Sequence, residues 1–142
     1  MVPGFAYFVS VLRKDFVTEC SRKLAQDHIT LSLLYPILYI GKHPSCSPKE
    51  LTQALNMDWG FTQRSLDKLA SEHLISRQRD EKNRRCYHLE LTDEGCRLYH
   101  KSHDLIRAWN EQKLSVLTPD EQAQLTTLLE KIVQAEGETS HV

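Results

Sequence analysis

Two groups of polar side chains near the middle of the chain have the types and spacing needed to bind a polyanion. The first contains a glutamine and an arginine, which can hydrogen-bond base edges, and a lysine, which can neutralise a phosphate: Gln63, Arg64 and Lys68. The second, from Arg77 to Arg85, has five basic residues against two acidic ones. Because the whole chain carries a formal net charge of -1, any contact with nucleic acid must come from such local clusters.

A helix-turn-helix is the element expected to position the first group. The run Ser47-Pro48-Lys49-Glu50 combines a capping hydroxyl, a proline at the first helical position and a glutamate at the third, so it predicts a helix from Pro48. The apolar pattern ends around Asn56, and Asp58 can then cap a second helix that ends near His73. In that helix Leu66, Leu69 and Ala70 face inward, whereas Gln63, Arg64, Asp67 and Lys68 face outward and could enter a major groove.

A hairpin is predicted to carry the second group. The runs 74–79 and 86–91 have the composition of paired strands, and Tyr87, Leu89 and Leu91 alternate with polar residues as in a half-buried strand. Residues 80–85 between them are too polar to bury. A solvated loop is one interpretation of this tip, but its position directly after a helix-turn-helix favours contact with phosphates and the minor groove.

The order of these elements resembles the MarR family of bacterial transcriptional regulators. The resemblance rests on Leu74-Ile75-x-Arg77 and Leu89-x-Leu91-Thr92-x-x-Gly95, and it covers nearly the whole chain. It implies a mainly α fold with a small β-hairpin wing, that is, a winged helix-turn-helix flanked by N- and C-terminal dimerisation helices. We expect a single domain over residues 1–142, with the winged-helix lobe at about 31–95 and dimerisation helices at about 4–27 and 96–136.

The chain departs from the family pattern at two places. Family members usually carry Asp-x-Arg in the wing, where this chain has Asn83-Arg84-Arg85, so Arg85 is retained and Asp80 is the nearby acid that could support it. The second helix opens with Trp59-Gly60-Phe61, where small polar residues are usual. The DNA sequence recognised by relatives therefore cannot be assumed for this chain.

The resemblance and the residues together predict a sequence-specific DNA-binding regulator, a ligand-responsive repressor that acts as a homodimer on a palindromic operator in double-stranded DNA. We expect Gln63 and Arg64 to contact base edges, Lys68 and Lys82 to neutralise phosphates, and Arg84 or Arg85 to reach the minor groove. Trp59 could add apolar contact with thymine methyl groups. The full set of predicted DNA-binding residues is Ser47, Trp59, Gly60, Gln63, Arg64, Lys68, Lys82, Asn83, Arg84 and Arg85.

Apolar stripes at both ends of the chain predict further helices. The first runs roughly from Gly4 to Gln26, and Thr118-Pro119-Asp120-Glu121 repeats the capping pattern at the start of the last. These helices could pack onto their own domain. The alternative, which we favour, is a two-fold dimer, because paired modules read half-sites about one helical turn apart.

The identity of a regulatory signal is left open between three hypotheses. In the resembled family effectors bind between the dimer helices and the DNA-binding lobe, and five aromatic residues could wall such a pocket or simply fill the core: Phe16, Tyr35, Tyr39, Tyr99 and Trp109. His100 and His103 stand one helical turn apart and could hold a metal ion with Glu19 and Cys20, or be plain surface histidines. Because the histidines are weak candidates, we predict no metal site and no cofactor.

Redox sensing is the third hypothesis, because the chain has four cysteines, at positions 20, 46, 86 and 96. They form neither a C-x-x-C pair nor a zinc-finger spacing, so a disulfide framework and structural zinc are not indicated. The hydroperoxide-sensing relatives use a cysteine at the position that aligns near Ala6 here, so this chain lacks that thiol. Cys20 could serve instead, but burial on a helix face is favoured.

Other function classes find little support in the sequence. It has no Gly-rich phosphate loop, no G-x-S-x-G and no H-E-x-x-H, so an enzyme is not predicted. No apolar run reaches the roughly 20 residues that cross a bilayer, and no secretory signal is apparent, so we expect a cytoplasmic protein. A winged helix that binds protein rather than DNA is the remaining alternative, because Trp59 and Phe61 would suit a protein interface.

Overall fold

The protein folds mainly into helices, with one two-stranded hairpin, as described by a computed structural model. The structure describes the backbone of residues 4–139 and the side chains of residues 4–134. In chain order the elements are α1 (Phe5–Leu24), a short 3-10 helix (Ala25–Asp27), α2 (Leu31–Lys42), α3 (Pro48–Ala54), α4 (Trp59–Ser71), β1 (Ile75–Arg79), β2 (Tyr87–Leu91), α5 (Asp93–Leu114) and α6 (Pro119–Thr139). The predicted mainly helical fold with a hairpin is confirmed. Helix α1 ends at Leu24 rather than Gln26, and the chain continues there as the 3-10 helix.

Two compact units divide the chain. The first ends at Ile106 and the second begins at Arg107, so α5 contributes residues to both. The first unit contains the hydrophobic core, and the second contains the end of α5 and all of α6. No helix within residues 4–139 is long and apolar enough to span a membrane.

Helix α2 is the centre of the core. The apolar run that begins at Leu31 forms this helix, and Leu34, Ile37 and Ile40 on it are at most 1% exposed. The other α-helices of the first unit and β2 contribute further buried side chains to the same cluster, among them Cys20, Leu24, Leu51, Leu66, Leu69, Leu89 and Leu98. Burial of this surface holds α4 and the hairpin in place.

The helix-turn-helix begins as the sequence predicts. The Ser47 hydroxyl accepts a hydrogen bond from the Glu50 amide (3.1 Å), and the Glu50 carboxylate accepts one from the Ser47 amide (3.4 Å), so a complete capping box starts α3 at Pro48. The turn after α3 contains Asn56 in a left-handed conformation, with φ of 50°.

Helix α4 also has the predicted ends. The Asp58 carboxylate caps it by accepting a hydrogen bond from the Phe61 amide (3.1 Å), and His73 after it adopts a left-handed φ of 58°. Its buried face includes Leu66 and Leu69 as expected, but also Thr62, whose hydroxyl oxygen accepts a hydrogen bond from the Thr52 hydroxyl of α3 at 2.9 Å. The two helices are therefore joined by a polar contact that the apolar pattern did not indicate.

The hairpin pairs β1 with β2 in antiparallel register, from Ile75 opposite Leu91 to Arg79 opposite Tyr87. Leu89 on β2 is fully buried. The segment before α3 pairs with the other edge of β2, where the Leu89 amide donates to the Cys46 carbonyl (2.8 Å). This isolated bridge, which was not predicted from the sequence, covers the second edge of β2 at Leu89.

Helix α5 begins against the end of α4. The Thr92 hydroxyl donates to the His73 carbonyl (2.7 Å) and accepts from the Gly95 amide (3.0 Å), so a single side chain caps α5 and binds the residue after α4. A Cβ on Gly95 would lie 2.0 Å from the Leu74 carbonyl oxygen, so only glycine allows the helix to approach this closely. The start of α5 is therefore fixed to the chain that leaves α4.

Helix α6, in the second unit, starts at Pro119 after a second capping box. The Thr118 hydroxyl accepts from the Glu121 amide (3.2 Å), and the Glu121 carboxylate accepts from the Thr118 amide (2.9 Å). Five large apolar side chains of α6 are exposed: Leu125, Leu128, Leu129, Ile132 and Val133. On α1, in the first unit, Phe5, Tyr7, Phe8, Val9, Val11 and Leu12 are likewise exposed.

Candidate nucleic-acid interface

The solvent-facing side of α4 carries the predicted base-contacting residues. Arg64 and Lys68 are exposed, whereas Gln63 is half-buried. Trp59 opens the helix with 53% of its surface exposed, and Phe61 is also exposed. The opposite side is buried, so α4 presents these side chains from a fixed support.

Gly60 leaves room for the Arg64 side chain. A Cβ at Gly60 would lie 3.3 Å from the Arg64 guanidinium nitrogen Nη1 and 3.2 Å from the Asp58 carboxylate oxygen Oδ2. The Arg64 guanidinium therefore lies over the first turn of α4, which begins at Trp59. A larger residue at position 60 would crowd the Arg64 side chain in this position.

Two cations of the predicted interface, Arg77 and Lys68, form ion pairs with acidic side chains. The Arg77 guanidinium bonds the Asp67 carboxylate at 2.5 Å, which ties β1 to α4, and the Lys68 ammonium bonds Glu72 at 3.0 Å. Arg79 lies over the Tyr87 ring, 5.6 Å from its centroid. Arg77 therefore braces the helix, and the free positive charge of the second group is concentrated beyond β1.

The wing tip, residues 80–86, holds that free charge. The Asp80 carboxylate accepts from the Lys82 amide (2.9 Å), and the Asn83 side-chain oxygen accepts from the Arg85 amide (3.2 Å). Among the described side chains, no acidic group forms an ion pair with Lys82, Arg84 or Arg85. Asn83 thus shapes the turn instead of bracing an arginine, and all three cations project into solvent.

Asp80 does not take over the support of Arg85. Its second carboxylate oxygen lies 3.4 Å from His88 Nε2, and His88 Nδ1 lies 3.1 Å from the Ser45 carbonyl oxygen. The carboxylate thus connects the wing, through His88, to the segment before α3. The Arg85 guanidinium has no such support in the described part of the chain.

Ser47 lies at the start of α3 and is half-buried. Its hydroxyl is engaged in the capping box, so its contribution to an interface would come through the orientation of α3.

The five aromatic residues considered for an effector pocket make different contacts within their own units. Tyr99 packs on the backbone of Gly41, Tyr39 stacks on His43 with ring centroids 4.2 Å apart, and Tyr35 is half-exposed. Phe16 packs against the core, and Trp109, in the second unit, lies under the Lys113 ammonium. A cavity of about 210 Å³ lies elsewhere in the first unit, between the start of α2 and α4, lined by His28, Thr30, Ser32, Leu33, Phe61, Arg64, Ser65 and Lys68.

The metal candidates make other contacts in the structure. His100 and His103 both lie near Tyr99 on α5, with ring centroids 5.1 and 6.2 Å from that of Tyr99, while Glu19 pairs with Arg22 and Lys23. Within the described residues no three His, Cys, Asp or Glu side chains are close enough together to hold a metal ion.

The four cysteines fall into two classes. Cys20 and Cys46 are buried, and Cys86 and Cys96 are exposed. Burial raises the pKa of the Cys20 thiol, and burial together with the nearby Glu50 carboxylate raises the pKa of Cys46 to about 11. The raised pKa values favour the protonated form of both buried thiols near neutral pH.

Comparison with known proteins identifies the family. The MarR family model matches residues 34–87, from α2 to the start of β2. The HTH-type transcriptional regulator BilQ of Clostridium symbiosum (strain WAL-14163) is 41% identical over 132 residues, which cover 93% of this chain and 92% of that protein. The chain belongs to the MarR family.

A second relative and a solved structure are also similar to this chain. The HTH-type transcriptional repressor MdtR of Bacillus subtilis (strain 168) is 26% identical over 82% of this chain and 76% of that protein. A crystal structure of the S. aureus MepR-DNA complex matches with a TM-score of 0.87 at 20% identity, covering 94% of this chain and 99% of that chain. At that identity the likeness shows that the fold is shared.

The structure also explains the most specific part of the MarR resemblance. In the run Leu89-x-Leu91-Thr92-x-x-Gly95, Leu89 fills the core, Thr92 caps α5 and Gly95 permits the contact with Leu74. These residues form the joint behind α4. Their contacts within the protein set the geometry of this joint.

Proposed function

We propose that the protein is a sequence-specific DNA-binding transcriptional regulator that acts as a homodimer on a palindromic operator. Two features of the same molecule carry this proposal. Helix α4 is firmly supported by its buried face and leaves Arg64 exposed, and the wing tip has three cations with no acidic partner among the described residues. Arginine on a recognition helix can bridge guanine acceptors, and unpaired cations can neutralise phosphates. BilQ and MdtR are named as transcriptional regulators, and MepR is bound to DNA in its crystal structure, which supports the same function here.

In this proposal the work is divided between two regions. Gln63, Arg64 and Trp59 of α4 contact bases in the major groove. Lys68 and Lys82 neutralise phosphates, and Arg84 or Arg85 enters the minor groove. Ser47, Gly60 and Asn83 act by shaping the elements that carry these side chains.

The homodimer is supported by the exposed apolar side chains of α1 and α6. Exposed apolar stripes of this kind are costly on a monomer and favour burial against another copy. Two copies would present two recognition helices to half-sites about one helical turn apart. We further infer that the protein works in the cytoplasm, is not an enzyme, and represses until a small molecule binds.

The test is to incubate the purified protein with fragments of its own genome and sequence those it retains. The expected result is a small set of fragments sharing an inverted repeat, with affinity that falls steeply as salt increases. Light scattering should give twice the 16.5 kDa mass of the chain. If no duplex is retained at low salt, Trp59 and Phe61 become candidates for a protein interface instead.

A thermal-shift panel of phenolic compounds, zinc and peroxide tests the regulatory signal. The effector should both raise the unfolding midpoint and release operator DNA, because its binding is coupled to the DNA-binding state. A compound that shifts the midpoint without releasing DNA is not the effector.

A further inference from the structure

One nearly buried acid in the first unit has no role in the proposed interface. Asp27, in the 3-10 helix that connects α1 to α2, has a side chain that is only 8% exposed. It accepts hydrogen bonds from the Arg97 guanidinium (2.7 Å) and the Lys101 ammonium (2.5 Å), two residues one turn apart on α5. Arg97 is held in addition by Glu94 at 2.6 Å.

These bonds join parts of the chain that are far apart in sequence. Leu24 and Ile29 on either side of Asp27 are buried, so the connector cannot move independently of the core. Burial acts to raise the pKa of Asp27, but the hydrogen bonds from Arg97 and Lys101 outweigh it and keep the pKa below its ordinary value. The carboxylate is thus ionised at neutral pH, and both cations remain bound to it.

A continuous series of contacts leads from Asp27 to the recognition helix. Arg97 and Lys101 lie within the first turns of α5, and the start of α5 is fixed to the end of α4 by Thr92 and Gly95. The junction of α1 and α2 is therefore linked through α5 to the C-terminal end of α4. A rotation of α5 about this junction would carry that end of α4 with it.

We propose that Asp27 is a positioning residue that fixes α5, and through it the recognition helix, to the junction of α1 and α2, and so sets the half-site spacing that the dimer accepts. The inference rests on the proposed function, in which α1 belongs to the dimer contact and α4 reads the operator. The spacing of two recognition helices then depends on how rigidly each is held to its own α1. Asp27 supplies part of that rigidity without touching DNA.

The test measures affinity as a function of spacing. Two copies of the half-site found in the retained fragments are placed as inverted repeats with the spacer varied one base pair at a time. One base pair rotates a half-site by roughly 35° and moves it by about 3.4 Å. We expect the wild-type dimer to lose about tenfold in affinity on that shift, and Asp27→Asn to lose less than about threefold or to prefer another spacer.

Matched variants distinguish a positioning role of Asp27 from the effect of losing one negative charge and from a loss of protein stability. Glu19→Gln removes a carboxylate that pairs with Arg22 and Lys23 on α1, so it makes the same charge change and should leave the spacer profile unchanged. Asp27→Glu restores the carboxylate and should recover a sharp optimum. If Asp27→Asn does not fold, Arg97→Gln and Lys101→Gln test the same contacts from more exposed positions and should broaden the profile.

The outcomes distinguish the two proposals. A wild-type protein with no preference among duplexes overturns the proposed function. A second outcome overturns only the role of Asp27. In it, the wild-type protein has a sharp optimum in spacer length, and the folded, dimeric variants keep the same optimum and the same sharpness: Asp27→Asn, Arg97→Gln and Lys101→Gln. A change in melting temperature alone, with an unaltered spacer profile, assigns Asp27 to stability and also overturns the inference.

Discussion

Helix α4 and the wing tip both present cations to solvent, but the fold holds them in different ways. Helix α4 is capped by Asp58, buried along Thr62 and Leu66, and tied to β1 by the ion pair of Asp67 with Arg77. The wing tip is shaped by short-range hydrogen bonds to its own backbone, and all of its residues except Asp80 are exposed.

The difference corresponds to two kinds of contact with DNA. Recognition of a base edge requires donors and acceptors at fixed positions, which a buried, capped helix provides. Attraction to phosphate depends on charge and tolerates movement, which suits a tip supported only locally. We expect substitutions in α4 and its supports to change structure or specificity, and substitutions in the tip to change overall affinity.

Gly95→Ala should have the largest effect, because it disturbs the support behind α4. The added methyl group would overlap the Leu74 carbonyl oxygen, which is backbone and cannot turn aside. We expect the free energy of unfolding to fall by about 3 kcal/mol, as for other overpacked sites. Denaturant unfolding followed by circular dichroism measures it.

Gly4→Ala is the matched control for that substitution. No atom of the described residues lies within 4 Å of a Cβ at Gly4, so the stability of the Gly4→Ala protein should stay close to that of the wild type. Equal stability of the Gly95→Ala and Gly4→Ala proteins would contradict the tight contact between α5 and the end of α4.

Arg64→Ala tests the base-contacting role of α4. Because an arginine that bridges guanine discriminates among bases, we expect about a tenfold or greater loss of affinity for the operator and a much smaller loss for random duplex. Fluorescence anisotropy with both duplexes measures the ratio. A uniform loss on the two DNAs would assign Arg64 to the phosphate backbone.

Lys82→Ala tests the wing tip and should have a smaller effect. A phosphate contact carries no sequence information, so affinity for the operator and for random duplex should fall by the same few-fold factor. The slope of log affinity against log salt should become shallower by about 1. If only operator binding weakens, the tip takes part in base recognition and the two regions are less distinct than proposed.

Thiol reactivity compares the wing with the core without perturbing either. Cys86 at the wing tip and Cys96 on α5 are exposed, whereas Cys20 and Cys46 are buried with raised pKa values. A chromogenic disulfide reagent at mildly alkaline pH should modify the exposed pair rapidly and all four cysteines only after denaturation. Rapid modification of Cys46 would show that the segment beside β2 opens more readily than its burial suggests.

Local signals predicted the elements of this protein well. The capping boxes at Ser47 and Thr118 and the cap at Asp58 correctly gave the starts of α3, α6 and α4, because a cap acts within one helical turn. The alternation around Leu89 predicted β2 within one residue. The assignment of Arg64, Lys82 and their neighbours to DNA contact is still a prediction.

Contacts between distant segments could not be predicted in the same way. Local sequence patterns do not indicate which distant residues will meet. Three such contacts are the pairing of Cys46 with Leu89, the hydrogen bond of Thr52 with Thr62, and the two hydrogen bonds that Asp27 accepts from α5. Nearness in sequence made Asp80 a possible support for Arg85, but in the structure the Asp80 carboxylate binds the Lys82 amide and faces His88 instead.

The sequence by itself determined the class of this protein: caps, periodicity and the run from Leu89 to Gly95 depend on neighbouring residues, and together they specify a winged helix of the MarR family. Only the tertiary structure decided which charges are free to act. Arg77 is paired with the Asp67 carboxylate, whereas Arg84 and Arg85 have no acidic partner among the described side chains. The physical reason is that the availability of a charge depends on which groups the fold brings within a few ångströms, and folding brings together residues that are distant in the chain.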